Sequence, residues 1–142
     1  TMEDFLEHTQ IISLLKDQME YIGSPKTVEE ISETIKLVFK NESSRLMVIS
    51  DNGHILGFAF FNICVGMESA GKYLWLNEMH IHKNYRSKGY GAILYNAMKV
   101  WCNENGIKKI MGMATAADER TINFYSQQGA EVFSQNIISM KI

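Results

Sequence analysis

The side chains of this 142-residue chain best suited to chemistry crowd into one stretch, Glu78 to Gly91. Arg86 and Lys88 bring positive charge, and Gly89 and Gly91 let the backbone approach a bound group without a Cβ in the way. An apolar run that follows at helical spacing predicts a helix opening there. Its unpaired N–H groups and positive dipole end would point into the same space. Together these features specify an anion site, most naturally for phosphate or pyrophosphate. Just upstream, Glu78, His80 and His82 alternate, so an unbroken strand would show a carboxylate and two imidazoles on one face. Such a trio could bind zinc, but no fourth ligand is apparent and a bulge would break the alternation, so no metal is expected. Cys64 and Cys102 have no metal-ligand spacing and no neighbouring His or basic cluster to form a thiolate. They read as buried free thiols in a reducing compartment.

The spelling of the loop separates the known phosphate-binding designs. A P-loop ends in Gly-Lys-Ser/Thr, which Gly91-Ala92-Ile93 does not supply, and a dinucleotide fingerprint needs a third glycine where Leu94 stands. What remains is Arg86-Ser87-Lys88-Gly89-Tyr90-Gly91, an Arg-x-x-Gly-x-Gly turn between an alternating strand and an amphipathic helix.

The elements that must hold this loop are legible from period and punctuation. Ile11, Ile12, Leu15, Met19 and Ile22 predict a helix over residues 7–22, stopped by Gly23-Ser24-Pro25. Thr27-Val28-Glu29-Glu30 is a capping box that starts a second helix running to about Lys40. From Arg45 the period falls to two. Runs over 46–50, 55–65 and 72–82, joined by Asp51-Asn52-Gly53-His54 and by a turn around 66–71, predict an antiparallel meander. After the loop, Ile93, Leu94, Ala97, Met98 and Trp101 mark one face of a helix ending at Asn105-Gly106. A short strand over 109–113, parallel to the strand before the helix, a helix over 119–128, and closing strands over 131–133 and 136–142 complete the prediction. The fold class is therefore α/β, a mixed sheet of antiparallel meander and parallel strand-helix-strand flanked by about four helices. At 46% hydrophobic and 21% charged residues, the chain is sized for one domain over 1–142 with a full core.

Both the loop and the element order resemble the GNAT N-acetyltransferase superfamily, with the pattern most specific over 76–129. One departure is at the start, where the family usually has a strand before its first helix and residues 1–5 are too short and polar for one. The resemblance implies acetyl-CoA as cosubstrate, its pyrophosphate held by Arg86, Ser87, Lys88, Gly89, Tyr90 and Gly91. It implies main-chain contacts to the pantetheine arm from Met79 and Ile81, with His80 between them. Asp118 stands where the family often has an asparagine that positions the cofactor, although it also reads as a helix N-cap.

Amine acetylation sets its own demands. An alkylamine is mostly protonated at neutral pH, and freeing its lone pair costs about 4–5 kcal/mol unless the site helps. By resemblance, Glu78 is the general base; on its own it reads equally as an edge carboxylate on a solvated face. His80 could instead relay the proton. Tyr125, in Thr121-Ile122-Asn123-Phe124-Tyr125-Ser126-Gln127-Gln128-Gly129, matches the tyrosine the family uses to protonate the leaving thiolate. Otherwise it is an amphipathic aromatic whose hydroxyl finds one partner. Direct transfer in a ternary complex is expected, with a small-molecule or peptide amine as acceptor. The competing readings are a non-catalytic acyl-CoA-binding module and a regulatory domain that binds another pyrophosphate.

A net charge of −2 argues against nucleic acid or a membrane surface as partner. Without an apolar run of spanning length or a visible signal peptide, a cytoplasmic protein is expected. The free edge of the strand expected at 137–142 leaves a homodimer open.

Overall fold

The computed structural model describes residues 9–114 and 118–142, and the chain divides into two compact units after Gly112. Helix α1 spans Thr9–Tyr21 and buries Ile11, Leu14 and Gln18. It closes through Gly23 at φ 77°, with Ser24 N–H on the Met19 carbonyl and Gly23 N–H on that of Glu20, a Schellman arrangement. Helix α2 spans Val28–Lys40 behind the expected capping box: Thr27 Oγ1 accepts from Glu30 N–H at 3.1 Å, and Glu30 Oε2 accepts from Thr27 N–H at 2.8 Å.

Strands β1 (Ser44–Asp51), β2 (His54–Gly66) and β3 (Gly71–Ile81) form the predicted antiparallel meander. The β1–β2 turn has Asn52 at φ 48° and Gly53 at φ 78°, two left-handed residues that match strand twist in a two-residue hairpin. A 3₁₀ turn over Lys83–Tyr85 leads to helix α3 (Tyr90–Glu104), and strand β4 (Ile110–Gly112) then pairs parallel to β3. The sheet order is β1-β2-β3-β4.

One face of the meander packs Leu46, Phe58 and Phe60 with Ile55 against Ile11, Leu14 and Leu15 of α1. The opposite face meets α3, where the rings of Phe61 and Trp101 lie 5.4 Å apart. Helix α3 buries Leu94, Tyr95, Met98 and Cys102, whereas Ile93, expected inside, is 57% exposed and Ala97 is also exposed. Residues 92–102 are apolar almost all round, so two neighbouring stripes had the right period and packing chose the other. Cys102 is buried and Cys64 half-buried, both as free thiols.

The second unit carries helix α4 (Glu119–Gln127). The strands expected over 131–133 and 136–142 do not form. Residues 131–142 are irregular. Strand propensity is realised only where a neighbouring ladder receives it.

Candidate active site

The site starts from an irregularity in β3. Phe61 pairs with Leu76 and Phe60 with Glu78, so Asn77 is an extra residue, a β-bulge. Before the bulge, Leu76 shares the α3 face with Phe61. After it, Glu78 and His80 are turned to the α1 face beside Phe60 and Phe58, and the His80 and Phe58 rings lie 6.1 Å apart. Without that extra residue, Glu78 and His80 would continue the face of Leu74 and Leu76.

The same place is where β3 loses its other neighbour. The parallel ladder to β4 runs Leu74–Ile110, Trp75–Met111 and Leu76–Gly112, and no pairing among the described residues continues it past Leu76. His82 N–H bonds the Leu56 carbonyl at 2.8 Å, which makes that pair a hydrogen-bonded one. By antiparallel alternation His80 and Glu78 also bond toward β2, while Met79 and Ile81 turn their N–H and C=O groups to the open edge. The Met79 main chain and the Ile81 N–H thus lie on the unpaired side of the strand, where they are expected to face a ligand, while the Ile81 carbonyl is taken up by Arg86. Gly57, opposite Ile81, permits the close approach, since a Cβ there would lie 2.5 Å from the His80 carbonyl oxygen.

The open edge leads into the loop. Arg86 does not reach away from the protein: its Nε donates to the Ile81 carbonyl at 2.9 Å, and its guanidinium lies 5.9 Å from the centre of the Tyr21 ring. It braces the loop against the end of β3 and the end of α1. Ser87 and Gly89 both adopt left-handed backbone, at φ 61° and 85°. A Cβ on Gly89 would meet nothing within 4 Å, so glycine is required there by conformation and leaves open space above it. Gly89 is the N-cap of α3 and, having no side chain, makes no capping hydrogen bond of its own. The first-turn N–H groups, which include those of Tyr90 and Gly91, are therefore presented as an anion-binding end. Lys88 adds its charge nearby, with Nζ 5.8 Å from the Tyr85 ring centre.

Burial pushes the Glu78 carboxyl above its ordinary value. His80, 7% exposed, is held down to about 4 by burial and by the Arg86 charge, opposed by Asp17 and assisted by His82. Its imidazole is neutral at pH 7, able to pass a proton but not to carry a standing charge. Between about 6.5 and 4 the unfolded chain takes up a proton that folded His80 refuses, so stability falls as pH falls through that window. At pH 5 the loss amounts to about 2 kcal/mol. Urea unfolding at pH 7 and pH 5 should show it, and His80→Phe should flatten the difference; an unchanged difference in the variant would assign the acid sensitivity elsewhere.

The bulge precedes Glu78 rather than interrupting the trio, so Glu78, His80 and His82 do share a face. They do not assemble as ligands: His82 Nδ1 accepts from Asn84 N–H at 3.1 Å, capping the 3₁₀ turn, and no group of three His, Cys, Asp or Glu fit for a metal occurs among the described residues. In the second unit, Asp118 is an N-cap, accepting from Thr121 N–H at 3.1 Å and Thr121 Oγ1 at 2.7 Å. Tyr125 is half-buried on α4, edge-on to Phe124 at 5.2 Å. Two contributors escaped the sequence reading. Tyr21 carried no signal of its partnership with Arg86, and Asn77 showed only as a polar residue within a β-rich run.

Residues 8–130 match the sequence model of the Acetyltransferase (GNAT) family. The chain belongs to the GNAT acetyltransferase family. Acetyl transfer to an amine is the general kind of reaction these enzymes perform, with acetyl-CoA as donor. The chain is 22% identical over 121 residues to the uncharacterized N-acetyltransferase YhfO of Bacillus subtilis, covering 85% of this chain and 81% of that protein. It is 26% identical over 83 residues to tyramine N-feruloyltransferase 4/11 of Nicotiana tabacum, over 57% of this chain and 36% of that one. Among solved structures, a possible acetyltransferase from Clostridium difficile 630 superposes with a TM-score of 0.83 at 16% identity, over 100% of this chain and 93% of that chain. An aminoglycoside acetyltransferase from an uncultured soil sample, solved with sisomicin, gives 0.78 at 15% identity over 100% and 91%. These structural likenesses establish the GNAT fold of four helices and a mixed four-stranded sheet. No helix of the described residues is long and apolar enough to cross a membrane.

Proposed function

We propose that this GNAT protein is an acetyl-CoA-dependent N-acetyltransferase acting on a primary amine by direct transfer in a ternary complex. One observation carries the reading: the outward Met79 and Ile81 main-chain groups run into a loop with two left-handed residues at a helix start whose cap is glycine. An extended ligand ending in a pyrophosphate fits that sequence of donors. Ser87, Lys88, Gly89, Tyr90 and Gly91 hold the diphosphate, with Arg86 as the brace that fixes the loop. Met79 and Ile81 align the pantetheine arm.

Bound acetyl-CoA supplies the acyl carbon as a thioester, whose C–S bond is exchanged for a C–N bond to the amine. Glu78 removes the ammonium proton, helped by a carboxyl already less acidic than an exposed one. His80, neutral and buried, positions the strand and can relay that proton outward. Tyr125 protonates the departing sulfur, and Asp118 contributes by starting the helix that carries it.

The acceptor is a small-molecule or peptide amine. Relatives of similar fold act on amines as different as an aminoglycoside and a ribosomal-protein alanine, so the fold alone does not choose. A single functional domain, a cytoplasmic setting with reduced cysteines and acetyl-CoA, and no nucleic-acid or membrane partner belong to the same reading. The test is release of free thiol from acetyl-CoA in the presence of an amine panel. Tyr125→Phe is expected to lower turnover about tenfold or more while leaving the acetyl-CoA Kd within about twofold. Tight acetyl-CoA binding with no thiol release from any amine would favour a non-catalytic acyl-CoA-binding module instead.

A further inference from the structure

Asn77 is the anomaly of the site. Its Nδ2 is buried and has no hydrogen-bond partner among the described residues. Buried donors are nearly always satisfied, and an orphan in a native fold calls for an explanation such as an absent ligand. Its position supplies one. Asn77 is the extra residue of the bulge, the immediate neighbour of Glu78, and the first residue beyond the end of the β3–β4 ladder. A bulge sets two residues opposite one on the neighbouring strand, so Asn77 and Glu78 together oppose Phe60. The residue as a whole is only half-buried, and meeting a bound amine takes a turn of the side chain about its own bonds.

We propose that Asn77 determines acceptor specificity by donating a hydrogen bond to an oxygen of the amine substrate, selecting amines that carry a hydroxyl or carbonyl oxygen on the carbon next to the amine-bearing one. The inference rests on the acetyltransferase reading, in which Glu78 takes the ammonium proton. A donor and a base one residue apart can engage an oxygen and a nitrogen on neighbouring carbons at the same time, whereas a plain alkylamine leaves the amide unsatisfied. A site built to hydrogen-bond a substrate oxygen rejects the analogue lacking it strongly, because the buried partner is then left unpaired.

Matched acceptors test this: 1-amino-2-propanol against isobutylamine, and 2-phenylethanolamine against phenethylamine, with kcat/KM corrected for the fraction of free amine. Wild type is expected to favour the oxygen-bearing partner at least tenfold in each pair. Asn77→Leu, which keeps the volume and removes the orphan donor, is expected to bring both ratios to within about twofold without lowering Tm. Asn77→Ala, which removes the amide altogether, serves if the leucine variant does not fold, and should lose the preference likewise. Equal ratios in wild type and variant overturn the proposal for Asn77 while leaving acetyl transfer intact. Absence of thiol release from these four and from the whole panel of small-molecule and peptide amines, despite acetyl-CoA binding, overturns the transferase reading and this inference with it.

Discussion

Glu78→Gln should lower kcat for amine acetylation by about 100-fold or more, the range expected when a positioned general base is removed. The amide keeps the shape and polarity of the side chain but cannot accept the ammonium proton. Unfolding would not explain the loss. Because burial raises the Glu78 pKa, the folded state holds its proton more tightly than the unfolded state does. Stability therefore falls as pH rises from the unfolded value toward the raised one, and the wild type carries that penalty at neutral pH. Gln removes it, so the variant should melt no lower than wild type. The pH profile adds a second signature. In wild type kcat should decline as pH falls through the raised Glu78 pKa, and the glutamine variant should lack that limb. A variant retaining more than about a third of wild-type kcat, with the acid limb in place, would move the base to another group.

Gly89→Asp should weaken acetyl-CoA binding about 100-fold with the fold preserved. Two effects combine. Any side chain at φ 85° strains the backbone by about 1–2 kcal/mol, and this one brings a carboxylate to the helix end where the diphosphate is to be held. The space around Gly89 is open, so no clash is introduced and circular dichroism should be unchanged. Gly89→Ala separates the two effects, since it carries the strain without the charge; its loss should be smaller, about tenfold. Equal affinity for wild type and Gly89→Asp would mean that the anion does not sit at the start of α3.

How much of this could be read from residues alone follows from the range of the forces involved. The Thr27–Glu30 box, the Asn52-Gly53 turn and the Asn105-Gly106 helix stop are local: each is decided by backbone conformation and hydrogen bonds within a few residues, and each formed as the sequence indicated. The order of helices and strands followed from period for the same reason. What stayed hidden depends on partners distant in sequence. The bulge at Asn77 is a register shift between β2 and β3, visible only once Phe60 and Phe61 have chosen their partners. Arg86 reads as a phosphate ligand in sequence, and only the fold brings it to the Ile81 carbonyl and the Tyr21 ring. The apolar segment after Gly129 has strand chemistry without a ladder, a circumstance that no local pattern records.

Isothermal titration with acetyl-CoA, with ATP as the competing pyrophosphate, tests the central claim most directly. Micromolar binding of acetyl-CoA by wild type, not displaced by ATP and lost in a folded Arg86→Ala, Gly89→Asp double variant, is the predicted result. No heat on titration of the folded wild type would contradict it, and would return the glycine turn before α3 to a purely structural role.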